Sequence, residues 1–301
     1  MKVGFIGLGV MGRPMAAHVL RAGFELGVWA RRPDAAAELV SQGAILYASP
    51  AALAGASDVV VTIVTYGADV EELAFGPEGL ADGFRTGAVH VDMSTISPDI
   101  ARSLAQRYVE QGVAWVDAPV SGGGVAAEAG ALAIMAGGDA STLERVRPVL
   151  ECFGNRIVHI GEPGAGQVAK ACNQMLMVST IQACAEAMHL ARANGADLGA
   201  VRNALMGGSA ASRVLEVFGG RMVERDFAAG VQARLHHKDF GILMRDAVRL
   251  GTPLPVAAQV WQQLNALMAQ GWGGDDTSCL VKVLESASGG DIERRMNSIH
   301  R

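Results

Sequence analysis

The sequence is short of the features that mark several classes of function. Cysteine occurs four times, at Cys152, Cys172, Cys184 and Cys279, with no C-x-x-C pair and no metal-type spacing. Neither a disulfide scaffold nor a thiolate metal site is therefore expected, and the four read as buried free thiols. Basic residues are outnumbered, 25 Lys and Arg against 30 Asp and Glu, for a formal charge of −5. That balance gives no support for nucleic acid or an anionic membrane as partner. No apolar run reaches the roughly 18 uninterrupted residues of a membrane helix. The opening residues, Met1-Lys2-Val3-Gly4, enter a strand-like run without the parts of a secretory signal. A cytoplasmic protein is the expectation. None of this excludes a small anionic substrate, which needs a few local donors rather than a basic protein.

What is present is apolar and alternating. Half of the 301 residues are hydrophobic, enough for a sizeable core, and the length predicts two domains. Through the first half, β-rich runs over 3–6, 26–29, 58–64, 88–92, 114–117, 132–136 and 157–160 alternate with helical patterns such as 11–21, 98–111 and 141–152. Continuous runs such as Val59-Val60-Val61-Thr62 suit strands buried on both faces, as in a parallel sheet covered by helices. Strand–helix alternation of this kind predicts right-handed βαβ units. From 166 to 193 there is neither proline nor glycine beyond the first residue, which predicts one apolar helix of about 28 residues, roughly 40 Å long. Such a helix needs cover on several sides, as a strut between domains or an oligomer interface. The remainder reads as helical. The expected organisation is a dinucleotide-type α/β domain over 1–162, a long helix over 163–194 and an all-helical domain over 195–301.

Three stretches carry chemistry. Gly7-Leu8-Gly9-Val10-Met11-Gly12 has the spacing of a dinucleotide fingerprint, with a strand before it and a helix after it. Glycines there allow a tight turn and a close backbone approach to a pyrophosphate, whose charge meets free amides and the helix dipole. The strand that follows ends in Trp29-Ala30, where an acidic residue usually accepts the adenosine ribose 2′-hydroxyl. Arg31 and Arg32 stand next to it instead. They read either as solvated charges at a strand end or as donors to a 2′-phosphate, which favours NADPH with NADH as the lesser cofactor. In the second stretch, Asp117 to Gly123, Ser121 and the amides of Gly122 and Gly123 make a small anion cradle. In the third, Gly164 to Gln174, Lys170 and Asn173 share a helix face. Lys170 reads either as a lysine snorkelling to water or as a cation beside a reacting oxygen. His236 and His237 are adjacent and point apart on a helix, so no metal site is expected.

Together with "DMSTISP" at 92–98 and "HHKDFGI" at 236–242, these stretches resemble the β-hydroxyacid dehydrogenase family, the group of 3-hydroxyisobutyrate dehydrogenases and tartronate semialdehyde (2-hydroxy-3-oxopropionate) reductases. The resemblance runs from Val3 to about Glu285. It implies a Rossmann-like domain, an interdomain helix and an all-α domain, with the site in the cleft between them. It implies an enzyme that passes hydride between NADP(H) and a small aldehyde acid or hydroxy acid, assembled as a homodimer or homotetramer. By the same resemblance Lys170 is catalytic. Ser121, Gly122 and Gly123 hold the substrate carboxylate and Asn173 orients it. Thr65, next to Tyr66, and Thr95 border the cofactor, and Lys238 reaches the nicotinamide. Succinic semialdehyde or glyoxylate are alternative substrates, and a non-catalytic dinucleotide-binding scaffold is the alternative outside enzymes.

Overall fold

The computed structural model describes residues 1–288, so the last part of the expected helical segment, 289–301, lies outside the described residues. Two compact units divide the chain. One spans Met1–Lys170 and the second starts at Ala171.

The first unit is a layered α/β fold around one sheet. Its strands are β1 (Lys2–Ile6), β2 (Glu25–Trp29), β3 (Ile45–Leu46), β4 (Val59–Thr62), β5 (Val89–Asp92), β6 (Ala114–Asp117), β7 (Val120–Ser121), β8 (Leu132–Gly138) and β9 (Gly154–Gly161). They lie in the order β3-β2-β1-β4-β5-β6-β8-β7, with β9 pairing β8. Every residue of β4 and of β5 is buried, as strands covered on both faces require; β4 meets this with the apolar run Val59-Val60-Val61, while β5 also buries His90 and Asp92. One face packs on helices Gly12–Arg21 and Ala140–Leu150, where Met15, Val19, Val146 and Leu150 meet Phe5, Val28 and Val91. On the other face Leu53, Leu73 and Leu80 cover Ile6 and Val60, and Leu104 and Tyr108 pack with Trp115.

The expected parallel sheet holds from β1 to β6 and gives way at β8, which runs antiparallel to β6 and to β7. The chain leaves β6 at Asp117, and Val120-Ser121 pairs with Ile134 and Ala133 before the helix Gly123–Glu128. Ser121 thus stands on a short antiparallel strand beyond the ends of the parallel ones.

The second unit is helical. After the long helix Ala165–Ala193 come Leu198–Met206, the helical segments Leu215–Gly219 and Gly220–Glu224, and then Ala233–Leu250, Pro255–Ala269 and Leu280–Ala287. Val178, Ile181, Ala185 and Met188 of the long helix pack with Phe240, Leu264, Leu267 and Leu280. The division between the units falls within that long helix, at Lys170. No helix among the described residues is long and apolar enough to cross a membrane. All four cysteines are free, but only Cys184 and Cys279 are buried; Cys172 is exposed and Cys152 half-buried, against the expectation of four buried thiols. Cys172 lies on the open side of the long helix, where the continuous apolar character of the sequence does not report which face is covered.

Candidate functional site

Register sets the site of the first unit. Across the sheet Trp29 pairs with Ile6, Ile6 with Thr62, Thr62 with Asp92 and Asp92 with Asp117, so five strand ends form one edge. Parallel strands all deliver their following loops to that edge, where ligands bind in open α/β sheets. The segments that follow β1, β2, β4, β5 and β6 carry Gly7 to Gly12, Arg31 and Arg32, Thr65, Thr95, and Ser121 to Gly123 respectively. Thirteen of the residues singled out in the sequence are therefore brought to one edge by pairing alone, and Lys170 joins them from the long helix.

The glycine turn is built to keep bulk out. Gly7 has φ 103°, a left-handed value that side chains avoid, and a Cβ there would strike the carbonyl oxygen of Ile63. A Cβ on Gly12 would strike the carbonyl oxygen of Gly7, so helix Gly12–Arg21 starts hard against the turn. Gly9, by contrast, faces open space, with Val10 exposed beside it and Leu8 buried beneath. Met11, at the helix N-cap, offers no side-chain bond, and its first turn carries no acidic residue. Free amides, a positive dipole end and open ground in front of them fit the pyrophosphate of a dinucleotide.

At the end of β2, Arg31 and Arg32 are exposed. Arg31 Nη2 lies 3.3 Å from Asp69 Oδ1. The other oxygen of Asp69 accepts from the Tyr66 backbone N–H and closes a capping box on helix Gly67–Phe75. Thr65 is exposed next to Tyr66. Asp34 falls in the short helical turn Pro33–Ala36, as its place after Pro33 suggests.

The strand ends themselves are polar and buried. Thr62 Oγ1 and Ser94 Oγ each donate to Asp92 Oδ1 at 2.7 Å. With its proton committed, Thr62 accepts from His90 Nε2 at 2.9 Å, which leaves His90 Nδ1 to accept from the Tyr108 hydroxyl at 3.0 Å. His90 is fully buried, and burial pushes its imidazole down to about 3, so it is neutral at physiological pH. Asp117 receives the first turn of the long helix: Oδ1 accepts from Gly164 N–H at 2.7 Å and Oδ2 from Gln167 N–H at 3.0 Å. Burial nevertheless pushes its carboxyl up to about 7, against the pull of those amides and helped by the negative charge of Asp92.

Lys170 is 7 % exposed, and its Nζ donates to the carbonyl oxygen of Val120 at 2.8 Å. A lysine snorkelling to water is thereby ruled out. The contact sets an ammonium one residue before Ser121, which is followed by Gly122 and Gly123 with φ 134° and 68°. A buried cation, a hydroxyl and glycine amides in neighbouring positions are the kinds of donor that a small anion takes.

In the second unit, Asn173 Nδ2 donates to Gln174 Oε1 at 2.9 Å, and Gln174 Nε2 donates to Asp239 Oδ2 at 2.6 Å. Lys238 Nζ lies 3.0 Å from Asp239 Oδ1, with side-chain exposures of only 16 % and 8 %, so this is no surface ion pair. Asn173 and Lys238 are thus joined through two residues that the sequence quotes within its motifs but gives no role, Gln174 and Asp239. The neighbouring histidines diverge as expected: His236 Nδ1 is 2.7 Å from Thr277 Oγ1, and His237 stacks on Trp261. Asp117 and Gln167 are likewise passed over in the sequence. The signal for them is their position, at a strand end and one turn before the buried lysine.

Comparison with known proteins gives the family. Residues 2–161 match the family model described as the NAD binding domain of 6-phosphogluconate dehydrogenase, and residues 164–284 match that described as NAD-binding of NADP-dependent 3-hydroxyisobutyrate dehydrogenase. The chain is 42 % identical over 285 residues to 2-hydroxy-3-oxopropionate reductase of Escherichia coli (strain K12), which covers 95 % of this chain and 97 % of the relative. It is 38 % identical to 3-hydroxyisobutyrate dehydrogenase of Pseudomonas aeruginosa over 93 % of this chain and 97 % of that one. A solved structure of Mycobacterium tuberculosis 3-hydroxyisobutyrate dehydrogenase with L-serine aligns with TM-score 0.87 at 31 % identity, covering 94 % and 98 % of the two chains.

Proposed function

This chain belongs to the NAD(P)-dependent β-hydroxyacid dehydrogenases, and on that premise we propose that it reduces a three-carbon aldehyde acid with NADPH. Tartronate semialdehyde is the first choice of substrate, on the likeness to 2-hydroxy-3-oxopropionate reductase; the oxidation of a 3-hydroxy acid such as 3-hydroxyisobutyrate is the same chemistry reversed. The reading makes the protein a cytoplasmic homo-oligomer.

One observation carries it: the buried Lys170 ammonium, donating to Val120 oxygen at 2.8 Å, stands beside the Ser121-Gly122-Gly123 segment. A carboxylate on that segment brings the adjacent carbonyl oxygen to the ammonium. When bound, a reduced nicotinamide supplies the hydride to the carbonyl carbon. Lys170 then gives a proton to the oxygen as it becomes an alkoxide, and its charge stabilises that oxygen beforehand. In the direction of oxidation the neutral amine takes the proton back. The Ser121 hydroxyl and the Gly122 and Gly123 amides hold the carboxylate, and Asn173 holds the substrate's other polar end, which fixes the carbonyl in one orientation. The amides of Gly9 to Gly12 bind the pyrophosphate, Thr65 and Thr95 border the cofactor, and the family resemblance assigns Lys238 to the nicotinamide. Arg31, with Arg32, supplies the donors for a 2′-phosphate where an acidic residue would repel it.

Initial rates with tartronate semialdehyde, methylmalonate semialdehyde, succinic semialdehyde and glyoxylate, each with NADPH and NADH, test the proposal. The expected order places a three-carbon acid with NADPH first. Succinic semialdehyde or glyoxylate ahead of both tartronate semialdehyde and methylmalonate semialdehyde, or no reduction of any acid, overturns it.

A further inference from the structure

We infer that Gln167 is a positioning residue whose side-chain amide locks the loop of Thr95 to the helical turn of Lys170, so that the two move as one body. Gln167 Nε2 donates to the carbonyl oxygen of Ser94 at 2.8 Å, and Oε1 accepts from the backbone N–H of Ile96 at 3.1 Å. The two bonds straddle Thr95 and use both ends of one planar amide, which fixes the loop in rotation as well as in place. Gln167 is 1 % exposed.

The turn that holds Gln167 is itself anchored. Its backbone N–H and that of Gly164 are taken by the two oxygens of Asp117. A Cβ on Gly166 would stand 2.5 Å from the Met135 carbonyl oxygen and 2.6 Å from that of Asp117, so the helix begins directly on the strand ends. Lys170 follows three residues later and reaches Val120. Residues 94–96 and 117–120 are therefore both tied to the segment 164–170, the first through the two polar atoms of the Gln167 side chain and the second through Asp117 and Lys170.

Packing alone gives no reason for an amide here. A buried side chain of this size fills the same space as Met or Leu without a polar group to satisfy, and a buried amide is tolerated only when both ends are paired. What the amide adds is register between the loop and the helix. Register matters where two groups act on one substrate, because a misplacement of about 1 Å costs on the order of 100-fold in rate. The inference rests on the reading of Lys170 as proton donor and Thr95 as a neighbour of the cofactor.

The test compares Gln167→Met, Gln167→Glu and Lys170→Ala with the parent. Turnover is divided by the number of NADPH-binding sites found by fluorescence titration, so unfolded protein drops out. Gln167→Met is expected to turn over about 10- to 100-fold more slowly per binding site, with KM for the aldehyde acid little changed. The deuterium isotope effect on kcat with C4-deuterated NADPH should rise as the hydride step becomes limiting. In the cofactor-free protein the Ile96 amide should exchange with deuterium at least about tenfold faster. Gln167→Glu keeps an acceptor for Ile96 and loses the donor to Ser94, and should fall between; it also carries the test if the Met variant fails to fold. Parent-like turnover per site and unchanged Ile96 exchange, with Lys170→Ala inactive, overturns the inference and leaves the Lys170 reading standing. Retained turnover in Lys170→Ala overturns that reading, and this inference with it.

Discussion

Arg31 Nη2 stands 3.3 Å from Asp69 Oδ1, an ion pair that joins the end of β2 to the helix after β4. The guanidinium is 72 % exposed and the carboxylate 27 %, so the pair is weak in water and yields readily to a stronger anion. A phosphate dianion on Arg31 makes charge-assisted bonds that this single contact does not match. Arg31→Ala is expected to raise KM for NADPH about 10- to 100-fold, the range of a lost bond to a charged group, and to leave KM for NADH nearly unchanged. Steady-state kinetics with both cofactors on one preparation check it. An unchanged preference removes Arg31 from cofactor selection.

Lys170→Ala should lower turnover by about 100- to 10,000-fold and leave NADPH binding intact, because the ammonium acts on the reacting oxygen. Lys170→Arg should fail nearly as badly, since a guanidinium stays protonated and has a different reach from the Val120 carbonyl. Retention of more than about a tenth of the parent rate by the alanine variant falls short of what a general acid supplies and rejects the role.

Ser121→Ala tests the carboxylate seat separately. Loss of one hydroxyl bond to a charged group should raise KM for the acid about tenfold and change kcat less, the signature of binding shared by substrate and transition state. A fall in kcat with constant KM places Ser121 in the chemical step instead.

The buried carboxyl of Asp117 gives a stability test with a definite sign. Its folded value is pushed up to about 7 from an ordinary 3.8, so between those values the folded chain holds more protons than the unfolded one. Its contribution is full below about pH 4 and is lost as pH rises toward 7. His90, pushed down to about 3 from 6.5, works the other way: its contribution is present above about pH 6.5 and lost as pH falls. The two slopes oppose one another between about pH 4 and 6.5. Asp117→Asn removes one of them, so the gap between parent and variant in urea unfolding should narrow as pH rises from 4 to 7. A constant gap over that range contradicts the assignment.

Self-association is expected because the long helix leaves apolar side chains open, Leu176 at 67 % and Leu190 at 66 % exposure. Light scattering at micromolar concentration should give at least a dimer mass, and Leu176→Asp should lower it. A monomer mass for the parent rejects the expectation.

How much of this was legible depends on whether the determining contact is near in sequence. The strands β1, β2, β4, β5 and β6 announce themselves because burial on both faces enriches them in apolar and β-branched residues, most plainly in the run Val59-Val60-Val61 of β4. Ile45–Leu46 and Val120–Ser121 do not, since a two-residue strand is too short to show a period. The direction of β8 is equally silent, because an alternating strand looks the same read up or down. The same divide runs through the site. Gly7, Gly9 and Gly12 are legible from spacing within one turn. Lys170 draws notice as a charge in an apolar helix, but its partner Val120 lies 50 residues away. Gln167 looks like any helical glutamine until Ser94 and Ile96, 73 and 71 residues off, come into contact with it.

The order of the strands also bears on the making of the protein. Among the strands of the sheet β1 is synthesised first, and β2 and β3 extend it on one side while β4, β5 and β6 extend it on the other, each in order of synthesis. The first pairing across the sheet joins Val3 to Leu26, the next major one joins Val3 to Val59, and after that Val59 meets Val89 and Val89 meets Ala114. Each new strand finds a free edge already waiting, and since the entropy of closing a loop grows only slowly with its length, none of these steps is prohibitive. The nascent chain can therefore assemble β1 to β6 strand by strand before the long helix has been translated.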